Sequence, residues 1–281
     1  MKLKLKKLSL LVLTLAVFAS CNNEDSTLND TEVVSDEQFN AMDEVDLISE
    51  EVNGVVEDIY AADEISSFSK SSYVSDYLPD CVTITRVITD TTKEITIEFA
   101  ENCELRNGNV VSGIIYLTYS KDMEAMSNVM TFTLENFVFN GVSVEGGSSI
   151  TRMRTNENGN PQSVAEANFS ATWPNGNTAT YRGTRTREWI EGYGTGTWGD
   201  NVFLITGSAT FVNRMGYSWS KTVLTPLRRE LACRFLVSGV LEITRNGNSA
   251  TIDFGDGTCD NKATITLPDG TTREINLRRF K

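Results

Sequence analysis

Beyond Cys81 the chain alternates apolar and polar residues with a period of two, and a β-sheet is the architecture that uses that period. Ile95, Ile97 and Phe99 alternate with Glu94, Thr96 and Glu98; Ala250, Ile252 and Phe254 alternate with Ser249, Thr251 and Asp253. Successive side chains of a strand point to opposite faces, so such runs describe strands with one buried and one solvated face. Between the runs stand Asn107-Gly108, Asn140-Gly141, Asn158-Gly159, Asn175-Gly176, Asn246-Gly247 and Asp269-Gly270. Such pairs accept the positive φ angles of type I′ hairpin turns. The spacing predicts a mainly β fold over residues 81–281: one antiparallel up-and-down meander of about twelve strands, with no helix of three turns or more. A sheet that long curls or closes to remove its edges, which leaves a curled sheet, a half-barrel or a barrel as outcomes.

The segment before the sheet obeys a different period. Ser35 and Gln38 fit a capping box, and Phe39, Met42, Val45, Ile48, Val52, Val55 and Ile59 recur at steps of three and four residues. That pattern predicts an amphipathic helix over 35–65, followed by a Ser-rich linker over 66–80. Charge divides the chain in the same places. Residues 1–20 carry +4, residues 22–80 carry −16 and residues 81–281 carry −1, within a net −13. An acidic helix with one apolar stripe is expected at the edge or mouth of the sheet; docking to another protein is the alternative.

Lys2, Lys4, Lys6 and Lys7 precede an apolar stretch at 8–18 and the small residues Ala19 and Ser20. This is the layout of a secretory signal peptide over 1–20, too short for a membrane span of about 20 apolar residues. Cys21 follows, and Phe18-Ala19-Ser20-Cys21 resembles a bacterial lipobox. Phe18 stands where lipoboxes prefer Leu, a departure that the looser lipoboxes of Bacteroidetes tolerate. The resemblance implies cleavage before Cys21 and lipidation of its thiol and amine with acyl chains of the palmitate type. Each buried methylene would contribute about 0.8 kcal/mol to the anchor. An ordinary signal peptide with an incidental cysteine is the alternative. Residues 21–34 read as a solvated acidic tether.

Cys81, Cys103, Cys233 and Cys259 remain, an even number that reads as two disulfides in an exported chain. Three pairings are open. A weak internal repeat favours Cys81–Cys103 and Cys233–Cys259, because residues 94–104 match 249–260 with one insertion and each copy has a cysteine one hairpin upstream. A zinc site lacks both a Cys-x-x-Cys element and any histidine, and no metal or cofactor is expected. The absence of histidine from the whole chain also excludes Ser/His/Asp and Cys/His catalysis.

Several motifs together resemble outer-membrane lipoproteins of the Bacteroidetes, of flavobacterial type. They are Cys-x-Thr-Ile-Thr, Thr-Ile-Glu-Phe-x-x-x-Cys, Gly-x-Ile-x-x-x-Tyr, Thr-Arg-Thr-Arg-Glu-Trp-Ile-Glu-Gly (184–192), Ile-Thr-Gly-Ser-Ala (205–209), Ala-Cys-Arg-Phe-x-Val-Ser-Gly (232–239) and Asp-Phe-Gly-Asp-Gly-Thr-Cys-Asp-Asn-Lys-Ala-Thr (253–264). The resemblance spans roughly 81–281. It implies a β-rich protein held at the outer membrane by its N-terminal lipid, on the periplasmic or the cell-surface face, and transfers no functional residue. In such lipoproteins an acidic run after the lipidated cysteine, here Asn22-Asn23-Glu24-Asp25, resembles a signal for surface display. Asp25-Ser26-Thr27 and Asp90-Thr91-Thr92 resemble the O-glycosylation sites of exported Bacteroidetes proteins.

Trp173, Trp189, Trp198 and Trp219 all fall within 173–219. Alternation on one strand places Tyr181, Arg185, Arg187 and Trp189 on a common face, and the Gly-rich stretch 192–199 brings Trp198 after it. Aromatic rings beside guanidinium donors can stack sugar rings or hold anions, so Tyr181, Arg185, Arg187, Trp189 and Trp198 form a candidate ligand face. The competing reading makes the tryptophans core and lets the arginines snorkel over it. Glu188 and Glu191 would be first suspects for carboxylate-based glycoside hydrolysis, against a plainer role as solvated hairpin residues. Asp253, Asp256, Gly257 and Asp260 read as a turn in preference to a calcium loop. Nucleic acid is an unsuitable partner for a chain this acidic without a basic stripe. The sequence therefore favours an envelope protein with a structural or binding role toward a glycan or protein partner. A carboxylate-dependent carbohydrate-active enzyme and a carrier for apolar ligands are the alternatives.

Overall fold

The computed structural model describes residues 36–68 and 76–277, with side chains from Glu44 onward. The segments expected to be a signal peptide and a tether, and Cys21 between them, lie outside the described residues. The elements are α1 (Asp36–Phe68), β1 (Val82–Ile88), β2 (Thr92–Glu104), β3 (Val110–Ser120), β4 (Ser127–Phe139), β5 (Val142–Met153), β6 (Gln162–Thr172), β7 (Thr178–Glu191), β8 (Val202–Val212), β9 (Ser218–Glu230), β10 (Leu236–Arg245), β11 (Asn248–Asp256), β12 (Lys262–Thr266) and β13 (Thr272–Asn276). Every strand pairs antiparallel with its neighbours in sequence, giving one thirteen-stranded meander in which β1 and β13 are the open edges. The sheet is curled and unclosed, one strand longer than the turn signals predict. α1 runs three residues past the expected end at 65.

The hairpin turns are less uniform than their dipeptides suggest. Asn140-Gly141 and Asn246-Gly247 take positive φ at both residues, as type I′ turns require. At Gly108, Gly159, Gly176 and Gly270 the glycine alone is left-handed. There a nearby Asn or Asp caps the turn through its side chain: Asn175 Oδ1 accepts from Asn177 N at 3.0 Å and Asp269 Oδ1 from Thr271 N at 2.9 Å. Bulges supply the curl. At Gly207 the β8–β9 register shifts between Ile205 and Ser208, and φ is 135°. A Cβ there would stand 2.1 Å from Thr184 O, so the strand can bend at that point only with glycine.

The helix does not lie at the edge or mouth of the sheet. It fills the curl. Val45, Ile48, Val52, Val55 and Ile59 are buried as the apolar stripe requires, but so are Leu47, Val56, Tyr60 and Ala61 around the rest of the circumference. No described residue of α1 from 44 to 66 is exposed. The reason is the inward face of the sheet, which is apolar at Ile95, Ile115, Leu117, Met130 and Ile150 but also carries cations matched to the helix. Lys93 meets Asp63 at 2.8 Å, Arg152 meets Glu64 at 3.1 Å, Arg187 meets Glu57 at 3.3 Å, Arg229 meets Glu50 at 3.1 Å and Arg185 meets Asp46 at 2.6 Å. Lys221 pairs with the same Asp46. The acidity that looked like a solvated helix face is internal charge complementarity with strands β2 to β9.

Two disulfides join Cys81 to Cys103 and Cys233 to Cys259, across 22 and 26 residues. Each ties the residues before a hairpin (β1–β2 or β10–β11) to the end of its second strand, at Cys103, or to the turn just after it, at Cys259, as the internal repeat anticipates.

Candidate functional site

Helix α1, the β2–β3 turn, the β7–β8 loop and the β9–β10 loop meet around one cleft. Its narrow inner lobe, about 520 Å³ counting the part open to solvent, runs between α1 and the sheet. Glu50, Glu51, Gly54, Glu57 and Asp58 of α1 form one wall, Arg187, Trp189 and Phe203 the other, with Tyr77, Trp198 and Asn201 nearby. A roomier outer lobe of about 590 Å³ shares Asn107, Trp198, Arg229 and Leu231 with it and adds Arg106, Asn109, Cys233 and Arg234. Cys233 lines this lobe directly, and Cys103 stands just before the β2–β3 turn that supplies Arg106, Asn107 and Asn109.

Trp198 sits where the lobes meet. Its ring stacks on Tyr77 with centroids 6.0 Å apart and planes 14° apart. Its amide donates to Asp76 Oδ1 at 2.7 Å, while Asp76 N donates to Gly196 O, so the linker and the β7–β8 loop hold each other. Arg106 faces Asp76 at 3.6 Å. Tyr77 is buried, and that burial, with the neighbouring Glu51 and Asp58 charges, pushes its phenol well above its ordinary value. The hydroxyl therefore stays protonated and able to donate.

On the sheet side, the Arg187 guanidinium lies 4.0 Å from the Phe203 ring centroid and its Nη1 donates to Glu57 Oε2. Trp189 Nε1 donates to Asn201 Oδ1 at 3.1 Å. Arg229 donates through Nε to Glu50 and through Nη1 to the carbonyls of Glu230 and Cys233. Asn107 Nδ2 donates to Glu51 Oε2. Two polar atoms of the cleft walls have no partner among the described residues, Glu57 Oε1 of α1 and Arg187 Nε of β7, each on a residue 7% exposed.

Tyr181, Arg185, Arg187 and Trp189 do share one face, and it is the face beneath α1: they are 2%, 7%, 7% and 5% exposed. The helix occupies the surface expected for a ligand. Arg187 and Trp189 still reach the inner lobe; Tyr181 and Arg185 lie along a separate hollow beside Asp46 and Lys221. Trp198 is half-buried in the cleft, whereas Trp219 is core and Trp173 lies beside Arg214, 6.0 Å from its ring centroid. Glu188 and Glu191 line neither lobe. Hydrogen bonds from Asn156, Asn160 and Asn158 hold the Glu188 carboxyl below the usual range, and Glu191 accepts from Arg228 at 2.8 Å. Asp253, Asp256 and Asp260 each accept from a backbone N–H two residues on, within their own turns. Thr91 is exposed in the β1–β2 turn.

Sequence reasoning missed Tyr77, Asn107, Arg229 and the helix carboxylates as site residues. A glycine in the middle of an otherwise well-patterned helix, Gly54, was the available signal. Comparison with protein-family models, with curated proteins and with solved structures found no match, so the chemistry of the cleft is what remains to be read.

Proposed function

We propose that the protein is a lipid-anchored component of the cell envelope that binds a glycan or a protein partner through the Trp198 cleft, without catalysing a reaction. The anchor rests on Cys21 behind its basic and apolar leader. Placement at the outer membrane, on its periplasmic or cell-surface face, rests on the resemblance to Bacteroidetes lipoproteins. The observation that carries the binding reading is Trp198: a half-buried ring stacked on Tyr77 at the junction of two lobes, beside arginine and asparagine side chains. Rings in that setting present a flat face to a ligand while remaining fixed from behind.

The alternatives draw less from the same geometry. A carrier needs an open apolar interior, and α1 fills the curl. A hydrolase would use the carboxylates that face Trp189 and Trp198, but Glu50, Glu51 and Glu57 already accept from Arg229, Asn107 and Arg187 and hold the wall together. The test is tryptophan fluorescence of the full chain in detergent, titrated with polysaccharides and with envelope extracts. A saturable shift, lost in Trp198→Ala and kept in Trp173→Ala, supports the reading. Shifts that survive Trp198→Ala would place binding elsewhere. Separately, Cys21→Ser should move the protein from the membrane to the soluble fraction.

A further inference from the structure

We propose that the ligand of this cleft is an acidic saccharide, its ring over Trp198, its anionic group in the outer lobe, and one hydroxyl in a notch at Gly54 beside Arg187 and Tyr77. This rests on the binding reading above and narrows it to a chemical class.

The notch is the first observation. Glycine is disfavoured inside a helix, and nothing in the packing demands it at position 54. A Cβ there would stand 3.8 Å from Arg187 Nη1 and 3.9 Å from the Tyr77 hydroxyl, ordinary contact distances. What glycine provides is the space of the absent methyl, on the floor of the inner lobe.

The second observation is the chemistry around that space. The heavy atoms within 4 Å of the methyl position are Arg187 Nη1 and the Tyr77 hydroxyl oxygen. A ligand hydroxyl there can accept from the guanidinium N–H and exchange a hydrogen bond with the phenol. The surrounding carboxylates Glu50, Glu51 and Asp58 repel an anion from this lobe and suit hydroxyl donors.

The outer lobe has the opposite character. Arg106, Arg229 and Arg234 line it together with Asn107 and Asn109, and no described carboxylate does. Arg229 is held by Glu50 and by two carbonyls, so it contributes field more than contact. Arg106, with its side chain 47% exposed and Asp76 at 3.6 Å, can turn to a ligand anion. A polyhydroxyl ring with a carboxylate or sulfate on one side matches both lobes, with Trp198 between them.

The test is calorimetric titration of the full chain in detergent with an oligogalacturonate, a chondroitin sulfate oligosaccharide and neutral maltohexaose. One of the acidic probes should bind at least tenfold tighter than the neutral one, with affinity falling as salt rises. Arg106→Gln should reduce that preference several-fold. Gly54→Ala should raise the melting temperature yet weaken the acidic saccharide about tenfold, a combination that a purely structural role for Gly54 does not produce. Equal affinity for maltohexaose overturns the acidic class. An affinity unchanged in Gly54→Ala overturns the hydroxyl notch and leaves it holding water only. In either case a Trp198-dependent fluorescence shift keeps the broader binding reading, whereas failure of that reading is loss of any Trp198-dependent shift.

Discussion

Arg152–Glu64 and Arg187–Glu57 are the same chemical pair, joining the same helix to the same face of the sheet two turns apart, and they differ in what surrounds them. Arg152 and Glu64 are 3% and 2% exposed at the side chain. The Tyr193 hydroxyl also donates to Glu64 Oε2 at 2.9 Å, and the Arg152 guanidinium lies within 6 Å of the Trp189 and Tyr193 rings. Burial, first, and the Glu64 charge push the Tyr193 phenol upward, so its proton stays in that bond. Arg187 and Glu57 are nearly as dry. Each arginine keeps a buried Nε without a partner among the described residues, and at the second pair the carboxylate atom Glu57 Oε1 does too. The first pair lines neither lobe of the cleft; the second lines the inner lobe. Charge pairing alone therefore does not distinguish scaffold from site in this molecule, and position relative to the cleft does.

The strongest way to break the comparison is to remove one partner from each pair. Glu64→Ala leaves Arg152 buried without compensation and should cost about 3–5 kcal/mol in chemical denaturation. Glu57→Ala should cost clearly less, because the cleft lets water reach Arg187. Equal losses would mean the two sites are equally sealed. Replacing both Arg152 and Glu64 with Met and Leu should recover most of the stability.

Next in size is the staple beside the cleft. A loop of 26 residues contributes about 3 kcal/mol in the chain-entropy model, so Cys233→Ser with Cys259→Ser should lower stability by that order. The sealed Arg152 region should keep its slow amide exchange near the native baseline while the cleft loops exchange faster.

A smaller effect distinguishes two neighbours at the start of the described helix. At Asp46 burial alone would raise the carboxyl, but the Lys221 and Arg185 charges overcome it and hold it below the usual range. Its stabilisation is present above the unfolded value of about 3.9 and is lost as pH falls through the lower folded value. At Glu44 burial outweighs the Arg214 charge and raises the carboxyl. Its penalty sets in as pH rises from the unfolded value of about 4.3 toward the higher folded one. Asp46→Asn should flatten the acid limb of the stability profile; Glu44→Gln should remove a decline on its upper side. The same change of slope in both variants would contradict the opposed assignments.

The smallest effect sharpens the comparison most. Gly54→Ala should stabilise the helix by about 0.5–1 kcal/mol, visible as a higher denaturation midpoint. A loss of stability instead would mean that the inner lobe has no room for a methyl.

Much of the architecture was legible because it is written locally. The period-two runs and the Asn-Gly punctuation led to a consecutive meander, and the matched contexts of Cys103 and Cys259 led to the pairing found. The position of α1 was not legible. Its stripe of Val45, Ile48, Val52, Val55 and Ile59 implied one buried side, and nothing local announces that Glu57 and Glu64 meet arginines more than 80 residues away. The alternation that groups Arg185, Arg187 and Trp189 is likewise silent on whether their common face looks to solvent or to a helix. Trp198 escaped this ambiguity because it lies in a loop, where exposure follows from position.

The meander also sets an order of events. Each strand pairs with the one made just before it, so sheet growth needs no partner that has not yet emerged. The helix is the exception. It is made first, yet Glu50 waits for Arg229 and Glu44 for Arg214, separations of 179 and 170 residues. Until Arg214 and β9 are in place the acidic helix lacks three of its seven cationic partners among the described residues, and its wrapping must follow the hairpins. The molecule is wound like thread on a spindle that is supplied before the thread. A chain stopped short of β9 would hold a partly wound sheet and a partly paired acidic rod, so the last quarter of the sequence decides whether the first helix is fully buried.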